Sequence, residues 1–228
     1  MKSEAYQLLF GKGEGQFNFN ENIHAKTASR ILSYLVFNLT EGFSDINEAT
    51  IQNEFNRFLR IKFNNSSFSC STEPIAFGQK RLDYLIKENG TDEHLVFYEF
   101  KTIIKPNENS ITERMVFPDL IKLALKKHDI PDSHSYLMLV GKTNVFRDAL
   151  NNEGLRLPNK FENKYNRDKT VLSIEQLRQV LNHETFNEHL NELENRQIKK
   201  ISISPSRWNH FEGMSVLFFK MNNNIYKD

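Results

Sequence analysis

The sequence predicts an α/β fold, with a mixed central β-sheet flanked by helices. Three observations lead there. Residues 94–102 (HLVFYEFKT) form a run of β-formers that is apolar on both faces, as a central strand is. Residues 81–87 alternate polar and apolar, as a half-buried strand does, and Asn89-Gly90 supplies a turn between the two runs. Helical spacing recurs on either side of this pair, and a further buried strand follows.

In chain order, residues 1–20 carry few helix signals. The glycines at 11, 13 and 15 suit an arm or hairpin; no Gly-Lys-Ser/Thr follows to make a phosphate loop. Residues 22–38 read as a helix, stopped by Gly42. Ser44 or Asp45 caps a second helix, with Glu48 as capping-box partner of Asp45 and an apolar stripe of Ile51, Phe55, Phe58 and Leu59. Residues 67–77 form a first core strand, its end made irregular by Pro74. The two strands of the hairpin follow. Pro118 suits a helix N-terminus, and Leu120, Ile121, Ala124 and Leu125 give that helix its core face. Residues 135–140 are a buried strand bounded by Gly141.

Beyond it, residues 144–150 suggest a short helix, and residues 155–170 a polar, basic loop. Ser173 caps a helix, and another runs near 186–195. Residues 199–204 and 215–221 read as strands, with Trp208, His210 and Phe211 in the link between them. With no repeat and no clear linker, the 228 residues are expected to form one domain.

Composition narrows the function classes. Hydrophobic residues make up 39% and charged residues 26%, which fits a soluble globular chain. The formal net charge is +1, so a nucleic-acid partner must be met by a local basic patch. A single cysteine, Cys70, rules out an internal disulfide and agrees with a reducing compartment. Met1-Lys2-Ser3-Glu4 has no secretory pattern and no run is long enough to span a membrane, so a cytoplasmic location without membrane attachment is expected. Cys70 has no nearby histidine, and His183 and His189 are six apart rather than four, so thiol and zinc chemistry are not expected.

Glu99 and Lys101 break the apolar pattern of the central strand. They point the same way, because side chains on a strand alternate. Burying both costs several kcal/mol, on the order usual for desolvated ions, unless they are paired or bind something. If Asp83 lies opposite Glu99 in an antiparallel hairpin, paired residue numbers sum to 182, Glu88 meets His94, and residues 89–93 form an ordinary loop. Asp83, Glu99 and Lys101 then share one cluster, whose two carboxylates exceed its one amine. A divalent cation would complete the balance.

Gln79-Lys80-Arg81-Leu82-Asp83, a hairpin and Glu99-Phe100-Lys101 together resemble the PD-(D/E)XK nuclease superfamily, with Leu82 where the motif has proline. The resemblance covers residues 51–140 and implies a restriction-endonuclease-like core in αβββαβ order. That core would run from about 44 to 141, between an N-terminal helical arm (1–43) and a C-terminal α/β extension (142–228). It implies a Mg²⁺-dependent endonuclease acting on DNA, of restriction or phage-defence type, with Mn²⁺ as possible substitute. Asp83, Glu99 and the backbone carbonyl of Phe100 would hold the metal, Lys101 would orient or deprotonate the attacking water, and Glu54 on the preceding helix is the positional match for a further ligand. Lys122 and Lys126, four apart on one helix edge, are candidates for phosphate contacts. So are Lys160, Lys164 and Arg167, which are interleaved with Phe161 and Tyr165. Cutting both strands of a duplex suggests a homodimer. Two other readings stand beside this one: a catalytically silent nucleic-acid-binding or assembly module on the same fold, and an unrelated α/β protein in which Glu99 and Lys101 pair structurally.

Overall fold

A computed structural model describes residues 22–40, 47–63, 68–90, 95–103, 113–146 and 170–223. Helices α1 (Asn22–Thr40) and α2 (Glu48–Phe63) lead into β1 (Phe68–Thr72), β2 (Ile75–Phe77), β3 (Lys80–Arg81), β4 (Tyr84–Glu88) and β5 (Leu95–Ile103). Then come α3 (Glu113–Asp129), β6 (His134–Lys142), β7 (Thr170–Ser173), α4 (Ile174–Val180), α5 (Asn187–Asn195), β8 (Lys200–Phe211) and β9 (Met214–Met221). Seven strands form one sheet in the order β1-β4-β5-β6-β9-β8-β7, and β2 and β3 form a separate ribbon. The sheet is mixed: β5 and β6 are parallel, and the other neighbours are antiparallel. A parallel pair needs a crossover, and α3 lies within it. The expected α/β class, a mixed central sheet flanked by helices, is what the chain adopts.

Strand alternation sorts the core into two layers. On one face Leu95, Phe97, Leu137, Leu139, Leu217 and Phe219 pack with α3, α4 and α5. On the other Val96, Tyr98, Phe100, Tyr136, Met138 and Phe218 pack with α1 and α2.

The β4–β5 ladder pairs Tyr84 with Tyr98, Leu85 with Phe97, Ile86 with Val96 and Lys87 with Leu95. Every pair sums to 182, the register expected from the sequence; residues 91–94, and so the expected Glu88–His94 pair, lie outside the described residues. Asp83 sits one residue before the ladder, at the position the same register sets opposite Glu99.

Several boundaries differ from the sequence reading. The strand expected at 67–77 splits at Glu73, whose φ is 54°, and Pro74. A positive φ and a missing N–H end ladder pairing there, so β1 stays in the sheet and β2 turns out to meet β3. The side chain of Asn47 accepts from the Thr50 N–H at 3.1 Å. Asn47 therefore satisfies the start of α2, and Glu48 is free for another role. Helix α3 begins at Glu113, which leaves Pro118 inside it rather than at its first turn.

The expected link around Trp208 is strand: β8 runs on through Phe211, with a register shift between Pro205 and Arg207. Glu212 (φ 48°) and Gly213 (φ 78°) then make the two-residue turn into β9. Its polar alternation hid this half of the strand. Beyond residue 142, β7, β8 and β9 join the central sheet. Ser173 caps α4 as expected, in a capping box with Gln176. Among the described residues no helix is long and apolar enough to cross a membrane.

Candidate functional site

β5 projects Leu95, Phe97, Glu99 and Lys101 toward α3. The first two join the apolar layer; the last two meet charges on the helix. Lys122 Nζ lies 2.6 Å from Glu99 Oε1 and 3.0 Å from Asp119 Oδ1, and donates to the Arg81 carbonyl at 3.0 Å. Lys101 Nζ lies 3.1 Å from Asp119 Oδ2 and 3.8 Å from Glu48 Oε2, at the start of α2. Asp83 enters from the other side, its Oδ2 accepting the Phe100 N–H at 2.7 Å. That bond fixes the carboxylate of Asp83 beside the strand that carries Glu99 and Lys101. Glu99 and Lys101 thus have partners on α3, not the mutual pair that a purely structural reading of the strand expected.

Glu48, Asp83, Glu99 and Asp119 face two ammonium groups, so the cluster carries a formal surplus of two negative charges. Its depth is uneven: Glu99 is 1% exposed and Asp119 7%, whereas the Lys101 and Glu48 side chains are 23% and 35% exposed. The Glu99 carboxyl is pushed well above the ordinary range by burial, then by Asp119 and Asp83, against the pull of Lys122. Burial also raises Glu48, although Lys101 opposes it. For the lysines the balance reverses. Burial would lower Lys101, but Asp119 and Glu48 outweigh it and hold the group above its usual value. Lys122 is held up in the same way by Asp119 and Glu99. Both lysines are therefore charged at neutral pH.

The structure sorts the remaining candidates. Glu54 points elsewhere: Arg57 is 3.5 Å and Arg30 4.0 Å from its carboxylate. One face of α2 supplies Ile51 and Phe55 to the aromatic layer, and Glu54 lies beside that stripe, while Glu48 at the helix start reaches Lys101. Lys122 is no exposed-edge residue but part of the cluster. Lys126, one turn on, holds its Nζ 6.0 Å from the centre of the Phe97 ring. Lys160, Lys164 and Arg167 lie outside the described residues.

Two members, Asp119 and Glu48, were not among the sequence candidates. Asp119 had a readable signal: an acid three residues before a lysine, inside a helix otherwise apolar from Met115 to Leu125. Glu48 reads as a capping residue in the sequence, whereas Asn47 is the residue whose side chain caps α2.

The donor set fits a divalent cation of the Mg²⁺ kind. The oxygens of Asp83 and Glu99 are hard donors, and a carbonyl shares its strand side with the N–H of the same residue, so that of Phe100 leaves β5 on the Asp83 side. Among the described residues no three His, Cys, Asp or Glu side chains are grouped to hold a metal alone. Mg²⁺ commonly takes one or two carboxylates and fills its shell with water and substrate oxygens. Comparison of the chain with family models, with curated proteins and with solved structures finds no match to any of them.

Proposed function

We propose that the chain is a metal-dependent nuclease with a restriction-endonuclease-like core, hydrolysing phosphodiester bonds in DNA. One observation carries the reading: Asp83, Glu99 and Lys101 converge at one place on the β4–β5 hairpin, in a partly buried cluster whose formal charge has two more carboxylates than its ammonium groups balance. A purely structural ion network has no reason to hold that surplus, since burying unbalanced charge costs stability.

In this site Asp83 and Glu99, with the Phe100 carbonyl, would hold Mg²⁺ or Mn²⁺. The ion supplies a Lewis acid for the scissile phosphate and lowers the pKa of a bound water. The chain's own residues do the positioning. The Phe100 N–H locks the orientation of Asp83. Asp119 and Glu48 hold Lys101 in place and charged. An ammonium so held has no lone pair to accept a proton. Lys101 would orient the attacking water and stabilise developing negative charge. Glu99, buried against α3, is held with little freedom to move during the reaction.

A cleavage assay on duplex and single-stranded DNA with Mg²⁺ or Mn²⁺ tests the proposal. The wild type should cut, and chelation should stop it. Asp83→Ala and Lys101→Met should each lower the rate by about 10²-fold or more, as removal of a transition-state contact does, with circular dichroism unchanged. Wild-type cutting by Asp83→Ala would leave the cluster a structural network.

A further inference from the structure

We infer that Lys122 is the cluster's own counter-ion, seated on oxygens for which a divalent cation competes, and that cation binding releases it. The inference rests on the proposed metal-dependent reading and adds a residue with two positions to it.

The geometry around Lys122 Nζ is that of a small cation in an oxygen cage. Its three oxygens come from three separate segments: Glu99 of β5 at 2.6 Å, Asp119 of α3 at 3.0 Å and the Arg81 carbonyl of β3 at 3.0 Å. Side-chain burial matches: Lys122 is 13% exposed, against 1% for Glu99 and 9% for Asp119. Lys126, one turn further along the same helix, has no such cage and lies over the Phe97 ring. The ammonium is thus selected by position rather than by a generally basic helix face.

Of the two carboxylates proposed as metal donors, Glu99 is the more buried. A divalent ion on Glu99 and an ammonium at 2.6 Å from the same carboxylate oxygen would repel each other in a poorly screened interior. One of them has to yield. The lysine has a flexible four-carbon stem rooted on α3. Released, its ammonium lies beside the cluster, within reach of a substrate phosphate and still balanced by Asp119. The cage also explains how the metal-free chain tolerates Glu99 in a buried strand.

Calorimetric titration of Mg²⁺ and Mn²⁺ into metal-stripped protein tests this without reference to activity. Wild type, Lys122→Gln, Lys122→Arg and Glu99→Gln are compared. Lys122→Gln should bind metal on the order of tenfold more tightly or better, because the competitor is gone. Lys122→Arg, which keeps the charge, should bind within about threefold of wild type, and Glu99→Gln should lose the site. If wild type binds in a Glu99-dependent way and Lys122→Gln binds no more tightly, the inference fails while the metal-dependent reading stands. If only Lys122→Gln binds, the competition is real and the reading fails, since Lys122 then fills the site permanently. If neither binds, both fall. Should Lys122→Gln not fold without metal, side-chain ¹⁵N spectra of lysine-labelled wild type decide. The Lys122 ammonium signal, assigned through Lys122→Arg, should be protected from exchange in the stripped protein and lose that protection as Mg²⁺ is added. A signal that does not change on saturation overturns the inference.

Discussion

The two faces of β5 are both buried, yet they handle polar atoms in opposite ways. Toward α1 and α2, Val96, Tyr98 and Phe100 meet an aromatic layer in which uncharged polar groups bond across helix and sheet. The Tyr84 hydroxyl donates to Asn56 at 2.8 Å, and His24 Nε2 lies 3.1 Å from the Tyr98 hydroxyl. Toward α3, Glu99 and Lys101 meet more charge, and the sum is not neutral. The same strand therefore separates a face that is settled by packing from one left with a deficit of positive charge.

The comparison breaks hardest on the aromatic side. Phe55 of α2 is 1% exposed and has its ring 5.2, 5.0 and 4.9 Å from those of Tyr84, Tyr98 and Phe100. Phe55→Ala removes edge contacts to three rings and leaves a cavity. It should cost about 3–5 kcal/mol, measured by chemical denaturation. A loss below about 1 kcal/mol would mean that this layer is loosely packed and that the contrast between the faces is overstated.

On the charged side the expected effect is smaller and unusual in sign. Glu99→Gln removes one of four carboxylates and leaves Lys122 its contacts to Asp119 and Arg81. Burial and like charges already disfavour the ionised form of Glu99, so the metal-free variant should unfold no earlier than wild type at neutral pH, within about 1 kcal/mol. A loss of several kcal/mol, the usual result of breaking a balanced buried pair, would mean that the cluster is a neutral structural network after all.

The contrast also separates what the sequence made legible from what it did not. The hairpin register followed from parity and turn length, because a slip of one residue would put Glu99 and Lys101 among the tyrosines. Asp83, Glu99 and Lys101 were visible as polar residues in an apolar strand. Their partners were harder to read: Asp119 and Lys122, three apart, follow a pattern commonplace on solvated faces, and only the apolar residues around them mark the face as buried. The packing of α3 on β5 shows which partners they meet. The sheet's far half was half legible. β9 read as a strand by its apolar run, whereas the second half of β8 carries Arg207, Asn209 and His210 and pairs with β9 across a bulge that no alternation announces.

Acid titration sharpens the comparison most finely, because the two faces should respond with opposite signs. His24 of α1 is fully buried, stacked on Phe218 with ring centres 4.1 Å apart and edge-on to Tyr136 and Tyr98. Burial pushes its pKa well below 6.5, and Lys220, Arg207 and His134 push the same way. A base with a depressed folded pKa contributes stability above the unfolded value and loses it as pH falls, because the unfolded chain then binds the proton first. Acidification from pH 7.5 to 5 should therefore weaken the aromatic face. Glu99, whose folded pKa is raised, binds its proton first in the folded chain, so the same acidification should favour the charged face. His24→Phe keeps the stack on Phe218 and gives up the contact to Tyr98, for a loss of about 1 kcal/mol at pH 7.5. Its melting temperature should then fall less than that of metal-free wild type between pH 7.5 and 5. Glu99→Gln should fall more. Parallel melting curves for all three proteins across that range would show that neither face titrates as its burial requires.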